Sequence, residues 1–349
     1  MSVCYKQSIM DYEPPLLEAY KTLLQSSSHK RMKNVKSTSS ILSKVLESSG
    51  EVPVIDLGRL NSTDHLERED CMKEIIEAAK QWGFFQVVNH GISQHLLQQL
   101  LLEEIKVFHR PFADKSQQFS TTTHYKWGNP FASNPRQLLW SEAFHISVPL
   151  GQTNMGDDQP KCLRSIIEAF ASKVAALAEM LAEILSHELN IKSSYFRERC
   201  LPNTSFLRLN RYPPCPIPKQ VFGFLPHTDS TFLSIVYQDQ VGGLQLMRDG
   251  KWLGVKPNPH ALLVNIGDLF QALSNGAYRS IKHRVVAAKK EERFSAAYFY
   301  RPSNDAVIES HGTPRLYRSF TFREYIQQNE KDLKQTGDKV GLSRFLYVQ

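Results

Sequence analysis

The sequence predicts an α+β protein whose C-terminal half is a barrel or sandwich of short strands, with helices before and after it. Three observations carry this. Apolar residues recur at helical spacing in three segments that end by residue 189. From Thr204 onward the pattern changes to short apolar runs separated by turn residues. A final segment, 321–329, returns to helical spacing.

Residues 1–50 are the least informative. Ser26-Ser27-Ser28 and Ser37-Thr38-Ser39-Ser40 are polar and turn-like, so residues 1–50 are expected to form a poorly ordered, loosely attached leader with short helices. Val52-Pro53-Val54-Ile55-Asp56-Leu57 reads as a short strand. A helix over 66–82 follows, with Met72, Ile75, Ile76, Ala79 and Trp82 on its buried face, and Gly83 ends it. Residues 84–88 make a strand, and Asn89-His90-Gly91 a turn to which His90 belongs structurally. A second helix covers 96–108 and is closed by Pro111.

Residues 120–160 read as loop-rich. The segment 166–189 is a long amphipathic helix carrying Ile167, Phe170, Val174, Leu177, Leu181, Ile184 and Leu185, a face that packs on a sheet. Strands are expected at 206–211, 232–237, 243–247, 262–266, 281–286 and 294–300, with turns at Gly242-Gly243, Asp249-Gly250 and Asn275-Gly276. Thr321 is placed to cap the last helix. The implied division is a leader (1–50), a helix-rich N-terminal part (51–155), a bridging helix (156–199), a β core (200–302) and a helical tail (303–349), packed as one unit.

Composition narrows the function. The formal charge is +7, but the basic residues are scattered apart from His29-Lys30-Arg31-Met32-Lys33. A nucleic-acid surface needs a sustained basic stripe with aromatics, so none is expected, and an acidic small molecule fits the charge as well. No apolar run reaches the ~18 residues of a membrane span. The five cysteines, Cys4, Cys71, Cys162, Cys200 and Cys215, include no Cys-x-x-Cys, which points to reduced thiols and a cytoplasmic location, with the nucleus also open. Oligomeric state is left undetermined.

The chemistry centres on Phe224-Leu-Pro-His-Thr-Asp-Ser-Thr-Phe-Leu-Ser234. His227 and Asp229, two residues apart in an extended chain, aim an imidazole and a carboxylate the same way. His283 lies far downstream in an apolar run. Two histidines and a carboxylate with open positions beside them are the facial triad of non-haem Fe(II) oxygenases. Alone, His-x-Asp is a weak signal. Arg293 and Ser295 share strand parity and present a guanidinium fork and a hydroxyl suited to a carboxylate. Asn210 and Tyr212 share parity just ahead of Pro213-Pro214-Cys215-Pro216.

Together Asn-x-Tyr-Pro-Pro-Cys-Pro (210–216), His-x-Asp (227–229), His283 and Arg-x-Ser (293–295) resemble, in order, the motifs of the plant-type 2-oxoglutarate- and Fe(II)-dependent dioxygenases, from about Val52 to about Pro302. The resemblance implies a double-stranded β-helix (jelly roll) core flanked by N- and C-terminal helices. It implies Fe(II) held by His227, Asp229 and His283, with 2-oxoglutarate on Arg293 and Ser295, Tyr212 as a further donor and Asn210 orienting the network. O2 is the oxidant and ascorbate a stimulant, and the co-substrate leaves as succinate and CO2.

Trp127-Gly-Asn-Pro and Trp140-Ser-Glu-Ala-Phe-His resemble segments of gibberellin 2-oxidases that act on C20 precursors. That implies 2β-hydroxylation of a carboxylated diterpenoid, which removes it from the hormone pathway. Trp127 and Trp140 become candidates for the wall of an apolar pocket. Arg208, on the parity of Asn210 and Tyr212, either pairs with an internal carboxylate or binds the substrate acid, with Phe299 beneath the apolar rings. The rival readings are a gibberellin 20- or 3-oxidase or a flavonoid oxygenase, a non-catalytic jelly-roll binding protein, and a zinc hydrolase on the same triad. The last gives no reason for Arg-x-Ser.

Overall fold

A computed structural model describes residues 11–31, 51–117, 123–130, 132–134, 137–148, 161–189, 191–192, 194–201 and 203–347. Before the core come α1 (Leu16–Arg31), β1 (Val54–Asp56), α2 (His65–Gln81), β2 (Phe84–Val88), α3 (Gln94–Phe108), α4 (Phe112–Gln117), β3 (Thr123–Trp127), β4 (Glu142–Ser147), α5 (Lys161–His187) and α6 (Tyr195–Arg199). The core adds β5 (Phe206–Tyr212), β6 (Phe222–His227), β7 (Leu233–Gln238), β8 (Leu244–Arg248), β9 (Lys251–Gly254), β10 (Leu262–Ile266), α7 (Asp268–Leu273), β11 (His283–Val286) and β12 (Arg293–Tyr300). The tail holds β13 (Val307–Ile308), β14 (Phe320–Thr321) and α8 (Phe322–Thr336).

Eight strands form a major sheet in the order β1-β2-β10-β7-β12-β5-β4-β3, and β6-β11-β8-β9 form a minor sheet. All these neighbours are antiparallel except β1 and β2. This is the jelly-roll core that the motifs imply. Period-2 alternation divides the major sheet. Its outer side chains, among them Leu207, Leu209, Ile235, Val264, Ala296 and Tyr298, join the largest apolar cluster with α2, α3 and α5. Its inner side chains Phe84, Tyr212 and Leu263 meet Leu244, Leu246 and Val285 of the minor sheet.

Local rules fix the helices. Asp64 caps α2, accepting from the Leu66 N–H at 2.9 Å, and Ile75, Ile76 and Ala79 are buried. Gly83 ends it at φ 63°, where a Cβ would lie 2.0 Å from the Arg279 carbonyl oxygen. Helix α5 buries Ile167, Phe170, Val174, Ala178, Leu181 and Leu185 on the sheet; each large side chain so buried contributes roughly 1.5–3 kcal/mol. Thr321 and Glu324 form a capping box on α8.

The structure departs from the sequence reading in three places. Residues 120–160 are not all loop: β3 and β4 extend the major sheet beyond β5, while 149–160 lie outside the described residues. Strands β1 and β2 also join that sheet, so its strands are not confined to residues 200–302. Nor is the leader wholly loose. Leu16 and Tyr20 are buried against Leu138, Trp140 and Cys215, and the Tyr20 hydroxyl donates to the Leu139 carbonyl at 2.9 Å. Residues 1–10 and 32–50 lie outside the described residues.

Strand β5 carries a closed charge network on its outer face. Arg211 is fully buried and donates to Glu142 at 2.5 Å, Glu13 at 2.6 Å and Glu292 at 3.0 Å. Lys115 donates to Glu142 at 2.6 Å and to the Tyr12 and Phe108 carbonyls. Each buried charge has an opposite partner, the condition under which burial is tolerated. The network ties the chain at Tyr12 and Glu13 to the sheet.

Candidate active site

His227 ends β6 and His283 opens β11, and the two are cross-strand partners. Asp229 follows in the next loop. Their ligand atoms lie within 4.8 Å of one another. The Asp229 Oδ1 is 3.4 Å from His227 Nε2 and 3.7 Å from His283 Nε2. Nδ1 of His227 lies 2.8 Å from the Leu225 carbonyl, and Nδ1 of His283 lies 3.0 Å from that of Ile281. A carbonyl can only accept, so each Nδ1 carries the proton and each Nε2 keeps its lone pair for a metal. Burial, with the His227 imidazole alongside, pushes His283 down to about 4, so its ring is neutral at pH 7. Burial opposes charge on Asp229 as well, but the two imidazoles override it and keep the carboxyl well below its usual range. Two imidazole nitrogens and a carboxylate oxygen facing one point fit Fe(II).

Asn265 Nδ2 donates to the other Asp229 oxygen at 2.5 Å and leaves Oδ1 toward the histidines. It was not anticipated from the sequence. Its signal is a single polar residue inside the buried run Leu262-Leu263-Val264-Asn265-Ile266.

Arg293, Ser295, Asn210 and Tyr212 meet on the inner face of the major sheet. Ser295 pairs with Asn210 and Arg293 with Tyr212 across β12 and β5. Gly223 makes room for the Tyr212 ring, since a Cβ there would lie 2.8 Å from it. Asn210 Nδ2 donates to the Ser295 carbonyl at 3.2 Å. Arg293 is buried, donates to Gln238 Oε1 at 2.8 Å and Ser295 Oγ at 3.3 Å, and lies 4.9 Å from the Tyr212 ring centre. Gln238, which orients the fork, is a second residue the sequence reading missed. No carboxylate pairs with Arg293 among the described residues, and its Nε has no partner. Asp239 and Glu104 feel its charge at longer range, but a buried guanidinium with no carboxylate in contact is costly. A ligand carboxylate removes that cost, so the residues present fit 2-oxoglutarate.

Arg208 shares this face, between Ala297 and His145. Its Nε donates to Asn210 Oδ1 at 2.7 Å, and its guanidinium lies 4.9 Å from the Phe224 ring centre. No ion pair with a carboxylate holds it among the described residues, so the internal-pair alternative finds no partner there. Phe299 stacks on Phe206 at 4.5 Å, and Phe206 on His145 at 4.0 Å. These aromatics line the face beside Arg208.

Trp127 and Trp140 do not. Trp127 pairs with Glu142, on the outer side, and packs edge-on to Phe112 at 5.7 Å. Trp140 is buried with Leu16 and Tyr20, its indole N–H on the Pro214 carbonyl at 3.2 Å. Both are packing residues, because strand register turns one outward and the docked helix α1 covers the other. His90 stays in its turn, where its Nδ1 accepts from the Ile92 N–H at 3.2 Å.

Fold and triad together define a non-haem iron oxygenase, and the comparisons agree. Residues 203–302 match the 2OG-Fe(II) oxygenase superfamily, and residues 52–166 match the N-terminal region described as non-haem dioxygenase in morphine synthesis. The chain belongs to the 2OG-Fe(II) oxygenase superfamily. It is 50% identical to gibberellin 2-beta-dioxygenase 8 of Arabidopsis thaliana, over 96% of this chain and 98% of that protein. It is 42% identical to gibberellin 2-beta-dioxygenase 6 of Oryza sativa subsp. japonica, over 84% of this chain and 85% of that one. A crystal structure of JOX2 in complex with 2OG, Fe and JA superposes with a TM-score of 0.71 at 29% identity, covering 91% of this chain and 94% of that one. The chain is thus an Fe(II)- and 2-oxoglutarate-dependent dioxygenase, an enzyme that uses O2 and is stimulated by ascorbate.

Proposed function

We propose that this enzyme 2β-hydroxylates gibberellins, with C20 precursors as substrates, and so withdraws them from the hormone pathway. The observation that carries the reading is Arg208: a guanidinium without a carboxylate partner among the described residues, on the face of the triad, beside the aromatic rings of Phe206 and Phe299. Such a face suits a rigid apolar acid. The identity to gibberellin 2-beta-dioxygenases over nearly the whole chain supports the same substrate class.

In this reading each residue has a physical task. His227, Asp229 and His283 hold Fe(II), with Asn265 fixing the carboxylate. Bound there with 2-oxoglutarate, Fe(II) supplies the activation of O2, which converts the co-substrate to succinate and CO2 and places the second oxygen atom in a substrate C–H bond. Arg293 and Ser295 take the far carboxylate of 2-oxoglutarate, Gln238 holds the Arg293 fork, and Tyr212 covers it. Asn210 links the two anion sites, accepting from Arg208 and donating to Ser295. Arg208 then sets which carbon faces the metal by fixing the substrate acid.

Incubation with Fe(II), ascorbate and 2-oxoglutarate, offering C20 and C19 gibberellins and identifying products by mass and fragmentation, tests the proposal. A 2β-hydroxylated C20 product is expected. Oxidation at carbon 20 or carbon 3, or turnover of a flavonoid in place of both gibberellins, would overturn it.

A further inference from the structure

Just past the ends of β12 and β5, Arg301 and Thr204 are tied by two side-chain bonds. The Thr204 hydroxyl donates to the Arg301 carbonyl at 2.7 Å, and Arg301 Nε donates to the Thr204 carbonyl at 2.5 Å. Arg301 lies two residues past Phe299, and its guanidinium sits between two rings, 4.9 Å from the centre of Phe206 and 5.7 Å from that of Phe322. Like Arg208, it forms no ion pair with a carboxylate among the described residues. Burial pulls the pKa of both guanidinia down. Asp229 acts on Arg208 only at longer range, and His145 adds no charge: burial, Arg208 and Arg301 push it down to about 3, so it stays neutral.

Two unpaired cations therefore flank one aromatic column. Along the column His145 stacks on Phe206 with 16° between the planes, and Phe206 on Phe299 with 13°. Arg208 faces Ala297, and Arg301 lies four residues further along the chain. At the strand rise this sets their backbones about 13 Å apart, a span on the scale of a fused-ring skeleton with an acid group at either end. We infer that Arg301 is a second anion-binding group of the substrate site, and that the site selects rigid polycyclic diacids over the matching monoacids.

This inference rests on the gibberellin reading and deepens it. Arg208 alone selects an acid; Arg301 makes the second carboxylate count. A diacid places one carboxylate on each guanidinium while its rings cover Phe206 and Phe299. A monoacid leaves Arg301 desolvated and unpaired, which the site resists more strongly than the loss of one attractive contact suggests.

The test uses the full chain, a C20 gibberellin diacid and its two monomethyl esters, each of which blocks one carboxylate. Dissociation constants by calorimetry are read for wild type, Arg301→Met, Arg301→Lys and Arg208→Met, with 2-oxoglutarate binding as the check on folding. Arg301→Met is expected to weaken diacid binding by about tenfold to a hundredfold, the value of a hydrogen bond to a charged group. It should leave one of the two esters bound as in wild type, and Arg301→Lys should restore part of the diacid preference. Arg208→Met should reverse which ester is insensitive. Unchanged diacid affinity in Arg301→Met, or equal losses for the diacid and both esters, would overturn the inference while the gibberellin reading stands. Failure of the wild type to bind any of the three would instead overturn the gibberellin reading and this inference with it.

Discussion

Strand β5 presents Arg211 to one side of the major sheet and Arg208 to the other, and the two are treated in opposite ways. Arg211 on the outer side is surrounded by Glu13, Glu142 and Glu292. On the inner side Arg208 and Arg293 have amide, hydroxyl and ring partners and no carboxylate among the described residues. A buried cation that the protein neutralises is structure, since removing either partner strands the other. A buried cation left without a counter-charge lowers stability and persists where a ligand supplies the anion. The same residue type thus reports packing on one face and function on the other, and only the pairing distinguishes them.

The largest effects should come from the triad. His227→Ala, Asp229→Ala and His283→Ala are each expected to abolish turnover with the fold retained, because a metal site open to substrate tolerates loss of a ligand poorly. Circular dichroism together with product analysis checks this. Near-normal iron binding and activity in His283→Ala would remove that residue from the site.

Breaking the outer face should look different. Arg211→Met leaves the buried Glu142 with Lys115 and Tyr125, Glu292 with His109, and Glu13 without its arginine, so a loss of about 3–5 kcal/mol in stability is expected. The KM for 2-oxoglutarate should stay near wild type in the fraction that remains folded. Denaturant unfolding and steady-state kinetics separate the two readouts; a small stability loss with a large KM change would mean that the faces are not distinct.

Smaller changes sharpen the inner face. Ser295→Ala and Tyr212→Phe each remove about one hydrogen bond to a charged group, roughly 1.5–3 kcal/mol, and should raise the KM for 2-oxoglutarate with little change in stability. Titration of 2-oxoglutarate under single-turnover conditions resolves the binding effect from chemistry.

Acid offers a gentler probe. His145 has a folded pKa of about 3, below the unfolded value of 6.5. Between those values the unfolded chain binds more protons, so stability falls as pH drops from about 6.5 toward 3. Thermal melting of His145→Phe across that window should show a shallower decline than wild type. Parallel curves would place the titration elsewhere.

The sequence foreshadowed the inner face well, because parity is a local property. Arg293 with Ser295, and Arg208 with Asn210 and Tyr212, follow from residues two apart on one strand, which leaves them no other arrangement; Asp229, in the loop past β6, still meets His227. What it hid depends on register with distant strands. Strand β4 carries Glu142 and His145 inside a buried stretch, so its alternation is masked until Arg211 and Arg208 are seen beside them. Trp127 could be assigned to neither face before its pairing with Glu142 was known. Helix α1 is mostly polar, and the side chains that attach it include Leu16 and Tyr20, with Leu23 and Leu24 packed beside them. Asn265 and Gln238, which hold Asp229 and Arg293, act across the sheet and carry no motif.

The contrast between paired and unpaired arginines meets its most direct test at Arg293. Wild type and Arg293→Met should be compared for 2-oxoglutarate affinity by calorimetry on metal-loaded protein, and for melting temperature in the absence of ligand. Affinity is expected to collapse while the ligand-free protein melts at the same or a higher temperature, because a buried charge with no carboxylate in contact has been replaced by an apolar side chain. Retained affinity with a lowered melting temperature would contradict the account, for it would make Arg293 a structural residue like Arg211.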